Sequence, residues 1–410
     1  MFTYKNKLAA FSLGLVALYS FNAWAQPVNH HIVVAPQCLT QNLSTPHKTL
    51  ASANSLSLID ITNDGIDQLI KAKENNKTLC GGFMDVSQAW DEFNSKNNIA
   101  VNSATIFLHK YAQAGKKSLT AGKLNYEIKY PVQVNQLLKQ INPQLMWNNL
   151  GTLSSMKDRY ANSDNGVAAA NWFKQQIENI ARENNRSDVT VTLIETGTRY
   201  KQPSVVAKVG SSSGPGIVIG AHMDTLNSTF SNKPGADDDG SGSVTVLEAA
   251  RTLLSSGMEF KKPIYFIWYA AEEEGLVGSG YVVSQFRKQN IPVDAVLHFD
   301  LTGYAYNNES TMWLMDDYVN PDLVNYVEKL IQNYVKRPIQ HDKCGYACSD
   351  HASWTQEGYA AALPAEAAYK YTNPTIHSQQ DTTDKLSLVH MTDYLKLATA
   401  FAVEMAEPKA

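Results

Sequence analysis

The stretch from Ile217 to Gly275 constrains this chain more than any other, because two short apolar runs in it each lead straight into polar groups. Ile217–Gly220 and Ile264–Tyr269 are rich in Ile, Tyr and Phe and are predicted to be buried strands. His222 and Asp224 follow the first run, Glu272, Glu273 and Glu274 follow the second, and three Asp at 237–239 lie between them. Groups just past strand ends face the edge of an open α/β sheet where ligands bind. One His among so many carboxylates is the donor set of a divalent metal. The pattern therefore points to metal-dependent hydrolysis.

The rest of the chain supplies a matching fold. From Val132 onward, helical spacing at Val134–Ile141 and Ala168–Ile180 precedes strands at Val189–Leu193 and Ser204–Val209. Gly242–Leu254 carries apolar residues at the spacing of an amphipathic helix, with Ser241 as its expected N-cap and Gly257 as its stop. A helix near Gly280–Gln289, a strand at Ala295–Phe299 ending at Asp300, a helix from Asn320-Pro321 to Val335 and a closing helix at Leu386–Glu404 complete the series. Such alternation predicts an α/β fold with a mostly parallel central sheet and helices on both faces.

Ahead of this unit the segment from about 26 to 124 is polar and Asn-rich, with helical spacing at Leu56–Ile70 and Val101–Tyr111. It ends in the Gly- and Lys-rich stretch Gly115–Lys123, which has the composition of an exposed linker open to proteolysis. From the residues alone it is either a permanent accessory domain or a propeptide masking the site. Residues 1–25 have the layout of a secretory signal peptide: Lys5 and Lys7, an apolar run Leu8–Phe21, and Ala23-Trp24-Ala25 as cleavage site. A retained membrane anchor is the alternative. The expected organisation is thus 1–25 signal, 26–124 accessory or propeptide domain, 125–410 catalytic domain.

Export makes the cysteines informative. The four, Cys38, Cys80, Cys344 and Cys348, permit two disulfides, expected as Cys38–Cys80 and Cys344–Cys348. A zinc site of Cys344, Cys348 and His351 is the competing arrangement. A formal net charge of −4 argues against nucleic acid as the main partner.

Singly, these acids and histidines are ordinary caps and turns. Together, GAHMDT, PGADDDGSG, AAEEEG, HFDLTGY, CGYACSDHASW and NPTIHSQQDT, in that order from about Leu150 to Glu404, resemble the secreted bacterial leucyl aminopeptidases of the di-zinc, co-catalytic family. CGGFM at Cys80–Met84 resembles the propeptide of the same group and favours a cleaved propeptide.

The resemblance implies two Zn2+ per chain, one held by His222 and Asp300, the other by Glu273 and His377, with Asp237 bridging and a cis peptide at Asp237–Asp238. Each ion would keep an open position, as catalytic sites do. Glu272 matches the general base acting on a metal-bridging water, Asp224 the carboxylate orienting His222, and Tyr346 a hydroxyl near the scissile carbonyl. Glu274 stands where relatives carry an apolar residue and is expected to be a bystander. His298 is expected to be a hydrogen-bonded core histidine, and His351 structural. The side-chain pocket would be lined by Leu301, Met315, Leu363, Ala365, Tyr369 and Ile376, favouring Leu, Phe or Met, with Ala365 leaving it roomier.

The resemblance also implies a secreted monomer acting on peptide N-termini and matured by a processing protease, with no nucleic acid or membrane partner. A single-zinc cyclase, a carboxypeptidase and a non-catalytic receptor domain are the other occupants of such a fold. The full two-metal donor set speaks against the cyclase and the receptor domain. No cation for a substrate carboxylate stands out in these motifs.

Overall fold

The structure, a computed structural model, describes residues 30–409 except 42, 76–79, 97–101, 115–125 and 213. The signal-peptide and linker expectations lie outside the described residues.

The N-terminal unit is a four-stranded antiparallel sheet in the order β2-β3-β1-β4, built from β1 (His30–Pro36), β2 (His47–Ala53), β3 (Leu56–Thr62) and β4 (Met84–Asp85). Helices α1 (Gln37–Thr40), α2 (Asn63–Asn75), α3 (Ser87–Lys96) and α4 (Ser103–Ala114) accompany it. The helical spacing expected over Leu56–Ile70 divides here. Leu58, Ile59 and Ile61 are strand residues buried on the two faces of β3, and the helix begins only at Asn63. A short apolar run fits either period, and strand pairing with β1 decides it.

The larger unit opens with α5 (Pro131–Leu138), α6 (Pro143–Ser154) and α7 (Asp164–Glu183), then β5 (Val189–Ile194), β6 (Ser204–Val209) and β7 (Gly216–His222). There follow α8 (Gly242–Ser255), β8 (Ile264–Tyr269), α9 (Val277–Lys288), β9 (Val293–His298), β10 (Met312–Met315), α10 (Pro321–Leu330), β11 (Ile339–Asp342), α11 (His351–Gln356), β12 (Ala361–Ala362), β13 (Pro364–Ala365) and α12 (Leu388–Ala406). The central sheet runs β12-β9-β7-β8-β6-β5; its first four strands are parallel, and β6 and β5 add antiparallel at one edge.

Alternation along the strands explains why both faces are covered. Ile217, Ile219 and Ala221 of β7, with Ile264, Phe266 and Trp268 of β8, join the large core under α7, α8 and α12. Val218, Tyr265, Ile267 and Tyr269 point the other way, onto Val282, Val283 and Phe286 of α9 and Trp354 of α11. A strand apolar at every position must be clad on both sides. Ser241 does not cap α8; the Asp239 carboxylate accepts from Gly242 N (2.9 Å) in its place. A second sheet has three strands in the order β11-β10-β13.

The two units dock through polar and apolar contacts. Asp85 N donates to Gly275 O (2.9 Å), Arg199 pairs with Asp67 (2.8 Å), and Lys288 and Ser284 both meet Glu92. Leu276 and Ala352 of the larger unit complete a core with Val34, Met84 and Phe107 of the smaller. Both expected disulfides are formed, and the closure of Cys344–Cys348 leaves those cysteines no thiolate for the competing zinc site. No helix among the described residues is long and apolar enough to cross a membrane.

Candidate metal centre

Parallel β7, β8 and β9 deliver their C-terminal ends to one crevice. His222 is the last residue of β7, Glu273 lies four residues past β8, and Asp300 two past β9. Left-handed backbone at Ala271 (φ 52°) and Leu301 (φ 61°), on either side of these acids, turns the chain sharply at the sheet edge. His377 itself has φ 61°. Non-glycine residues in this region each cost about 1–3 kcal/mol, and such strain gathers at functional sites.

Five side chains meet there. Donor atoms of His222, Asp238 and Asp300 lie within 4.8 Å of one another, and so do those of Asp238, Glu273 and His377. Asp238 belongs to both groups: one oxygen is 3.1 Å from His222 Nε2 and the other 2.9 Å from His377 Nε2. His222 Nε2 is 3.6 Å from Asp300, and His377 Nε2 is 3.2 Å from Glu273.

The shared carboxylate is therefore Asp238, not the expected Asp237. Asp237 is turned into the protein, where its oxygens accept from Gly303 N (3.0 Å) and Asn373 Nδ2 (2.9 Å) and it shares hydrogen bonding with Glu366. Burial pushes Asp237 up to about 6, against the pull of Asn373 and its other partners. Asp239 faces a third way, accepting from His222 N and Gly242 N. Three consecutive acids on a tight turn cannot aim together, and only the middle one reaches the crevice. The cis peptide is likewise one position later, at Asp238–Asp239.

Two supports, Asp381 and Arg159, carry no signal in the sequence pattern. Asp381, next to last in the motif NPTIHSQQDT, accepts from Asp237 N (2.9 Å) and Asp238 N (3.1 Å), fixing the Asp turn. Arg159, fully buried, donates to the carbonyls of Met223 (2.8 Å), Pro234 (2.6 Å) and Gly235 (2.7 Å), tying the exit of β7 to the start of that turn. Asp224 takes the N–H groups of Glu272 (3.0 Å) and Glu273 (3.2 Å) and stands 3.5 Å from His222 Nδ1. Glu272 and Tyr346 line one small cavity with Glu273. His298 is buried and bonded to Ser349 Oγ (2.8 Å), and His351 is buried. Glu274 is turned away from the five, bonded by Tyr200 (3.1 Å). Met315, Leu363 and Ala365 sit in the main core with Tyr369 against it.

The electrostatics ask for cations. Burial alone would lower His222, but the carboxylates of Asp224, Asp238 and Asp300 hold it well above the usual imidazole range. Burial is likewise overcome at His377, which Glu273 and Asp238 push up to about 10. Both ring nitrogens of His222 are buried without a hydrogen-bond partner of good geometry. Orphaned imidazole nitrogens facing three carboxylates are a mixed N/O donor set that suits a divalent ion such as zinc.

Residues 204–402 match Peptidase family M28. Leucine aminopeptidase 1 of Coccidioides posadasii is 35% identical over 292 residues, spanning 68% of this chain and 75% of the relative. The chain belongs to peptidase family M28. Among solved structures, the LapA aminopeptidase of Legionella pneumophila is 43% identical with a TM-score of 0.83, covering 93% of this chain and all of that one. LapB of the same organism is 38% identical with a TM-score of 0.84, covering 92% and 100%. This M28 member is a metallo-aminopeptidase, and its five clustered side chains stand around the C-terminal ends of the parallel strands.

Proposed function

We propose that this aminopeptidase holds two Zn2+ and removes Leu or another large apolar residue from peptide N-termini. The observation that carries the two-ion reading is Asp238, whose two oxygens each face a different His–carboxylate pair. His222 and Asp300 would hold one ion, Glu273 and His377 the other, and Asp238 both. Bound there, the ions supply Lewis-acid polarisation of the scissile carbonyl and charge neutralisation.

The chain's own groups handle the protons. Glu272 takes a proton from the attacking water on its carboxylate and returns it to the leaving amine nitrogen, as water oxygen bonds to carbon and the C–N bond breaks. Tyr346 donates its hydroxyl to the carbonyl oxygen. Asp224 holds the Glu272–Glu273 backbone and the His222 ring together. Met315, Leu363 and Ala365, buried in the main core, would supply the apolar wall of the side-chain pocket.

The N-terminal unit acts as a propeptide of an exported enzyme. Gly82 and Phe83 join Glu272, Glu273 and Tyr346 around a cavity of only about 10 Å³, room for one water and not for a peptide. Both disulfides suit an oxidising compartment.

The test compares Leu-, Lys- and N-acetyl-Leu-anilides, with and without chelator, before and after cleavage in the Gly115–Lys123 region. Leu-anilide should be fastest, the acetylated substrate inert, chelation inactivating and cleavage activating. Equal rates on the blocked substrate would sink the N-terminal reading, and an unchanged or lower rate after cleavage would sink the propeptide. Glu272→Gln should retain both ions by elemental analysis while kcat falls roughly 10²–10⁴-fold; near-normal turnover would place the base elsewhere.

A further inference from the structure

Tyr346 has a phenolic neighbour. The Tyr369 hydroxyl donates to the Tyr346 hydroxyl oxygen at 3.2 Å, and the rings meet edge to face, with centroids 5.8 Å apart at 74°. Neither ring is loosely hung. Tyr346 sits in the Cys344–Cys348 disulfide loop, whose Cys344 N (3.0 Å) and Gly345 N (2.7 Å) donate to the Asp317 carboxylate. Tyr369 is pinned through its own N–H to Asp342 at the end of β11 (2.8 Å). Two separate loops, each anchored by an aspartate, bring the phenol oxygens together, and Tyr346 itself lines the cavity that Glu272 and Glu273 share.

We infer that Tyr369 is a positioning residue for the reaction: its hydroxyl donates to Tyr346 and so orients and strengthens the donation of Tyr346 to the substrate's carbonyl oxygen. The direction of the bond is the reason. With its oxygen accepting from Tyr369, Tyr346 turns its own O–H away from Tyr369, and a hydroxyl that accepts one hydrogen bond is a better donor of the next. The 3.2 Å spacing is long for two hydroxyls, and contacts of this kind tighten once substrate is bound. Tyr369 thereby does more than line the apolar side-chain pocket. The inference rests on the reading of Tyr346 given above.

The experiment is a double-mutant cycle on the processed enzyme with Leu-anilide, using Tyr346→Phe, Tyr369→Phe and the pair. Removing one oxyanion donor outright costs about 10²–10³-fold in kcat, so losing only its support should cost roughly 5–10-fold. KM should stay within about twofold, since the Phe ring still fills the pocket wall. In the Tyr346→Phe background, Tyr369→Phe should change kcat by less than about twofold, because the relay is already broken. Unchanged melting temperature and zinc content in each variant show that the fold is intact. If Tyr346→Phe lowers kcat but Tyr369→Phe does not, or if the two losses multiply, the relay is overturned while the Tyr346 reading stands. If Tyr346→Phe itself leaves kcat unchanged, that reading fails and the relay with it. A rise in KM with kcat intact would reduce Tyr369 to a pocket residue.

Discussion

Asp238 and Asp237 are chemically identical neighbours with opposite assignments, and a pair of substitutions separates them. Asp238→Asn should remove the charge that faces both His–carboxylate pairs; zinc content should fall from two towards none and kcat/KM by more than roughly 10³-fold. Asp237→Asn disturbs the bonding to Asn373, Glu366, Ser241 and Gly303, none of them among the five clustered residues. It should keep both ions and lose about 10–100-fold, the range of outlying support for a metal site. The reverse pattern in elemental analysis would restore the sequence-based assignment. Composition and strand ends located the acidic runs, but not which acid of three faces the crevice. That depends on Asp381 and Asn373, more than 130 residues away in the chain, and no local pattern carries it. In the Glu run, Ala271 and Gly275 bracket the acids on both sides, and Glu273 is the one that joins Asp238 and His377 while Glu274 bonds Tyr200.

At the scale of elements, β7, β8 and β9 were legible because unbroken apolar runs have one comfortable home, a sheet covered on both faces. β3 was not, since its apolar positions Leu56, Leu58, Ile59 and Ile61 fit either period until a partner strand is known. The segment between Cys80 and β4 shows how such details act on the site. Gly81 has φ 71°, and a Cβ there would come within 2.6 Å of the Tyr346 ring. Gly81→Ala should therefore lift the covering segment. Activity of the uncleaved chain on Leu-anilide should rise several-fold, and the change should vanish once the N-terminal unit is removed. An uncleaved variant no more active than its parent would show that this contact does not hold the cover down.

Across the whole molecule the two units share a pH-sensitive seam. His31 bridges Asp85 (2.7 Å) and Asn63 (2.7 Å), and Asp85 is the residue whose N–H reaches Gly275. Burial would lower the His31 pKa and the nearby Arg199 opposes its charge, but the hydrogen bond and charge of Asp85 win and the pKa is raised. A raised folded-state value means the bond stabilises fully below about pH 6.5, the unfolded-state value, and is lost as pH rises through the folded one. The intact chain should thus melt higher at pH 6 than at pH 8.5, and His31→Gln should flatten that slope in scanning calorimetry. A slope unchanged by the substitution would assign it to other groups.

Arg159 carries one more consequence. It lies well upstream of Ser204, where the match to the family begins, yet its guanidinium ties three carbonyls that frame the Asp turn. What the Asp turn leans on accordingly reaches further upstream than the stretch the family model matches. A chain trimmed to begin at Ser204 would keep all five clustered residues and lose the guanidinium that ties the Asp turn to the exit of β7.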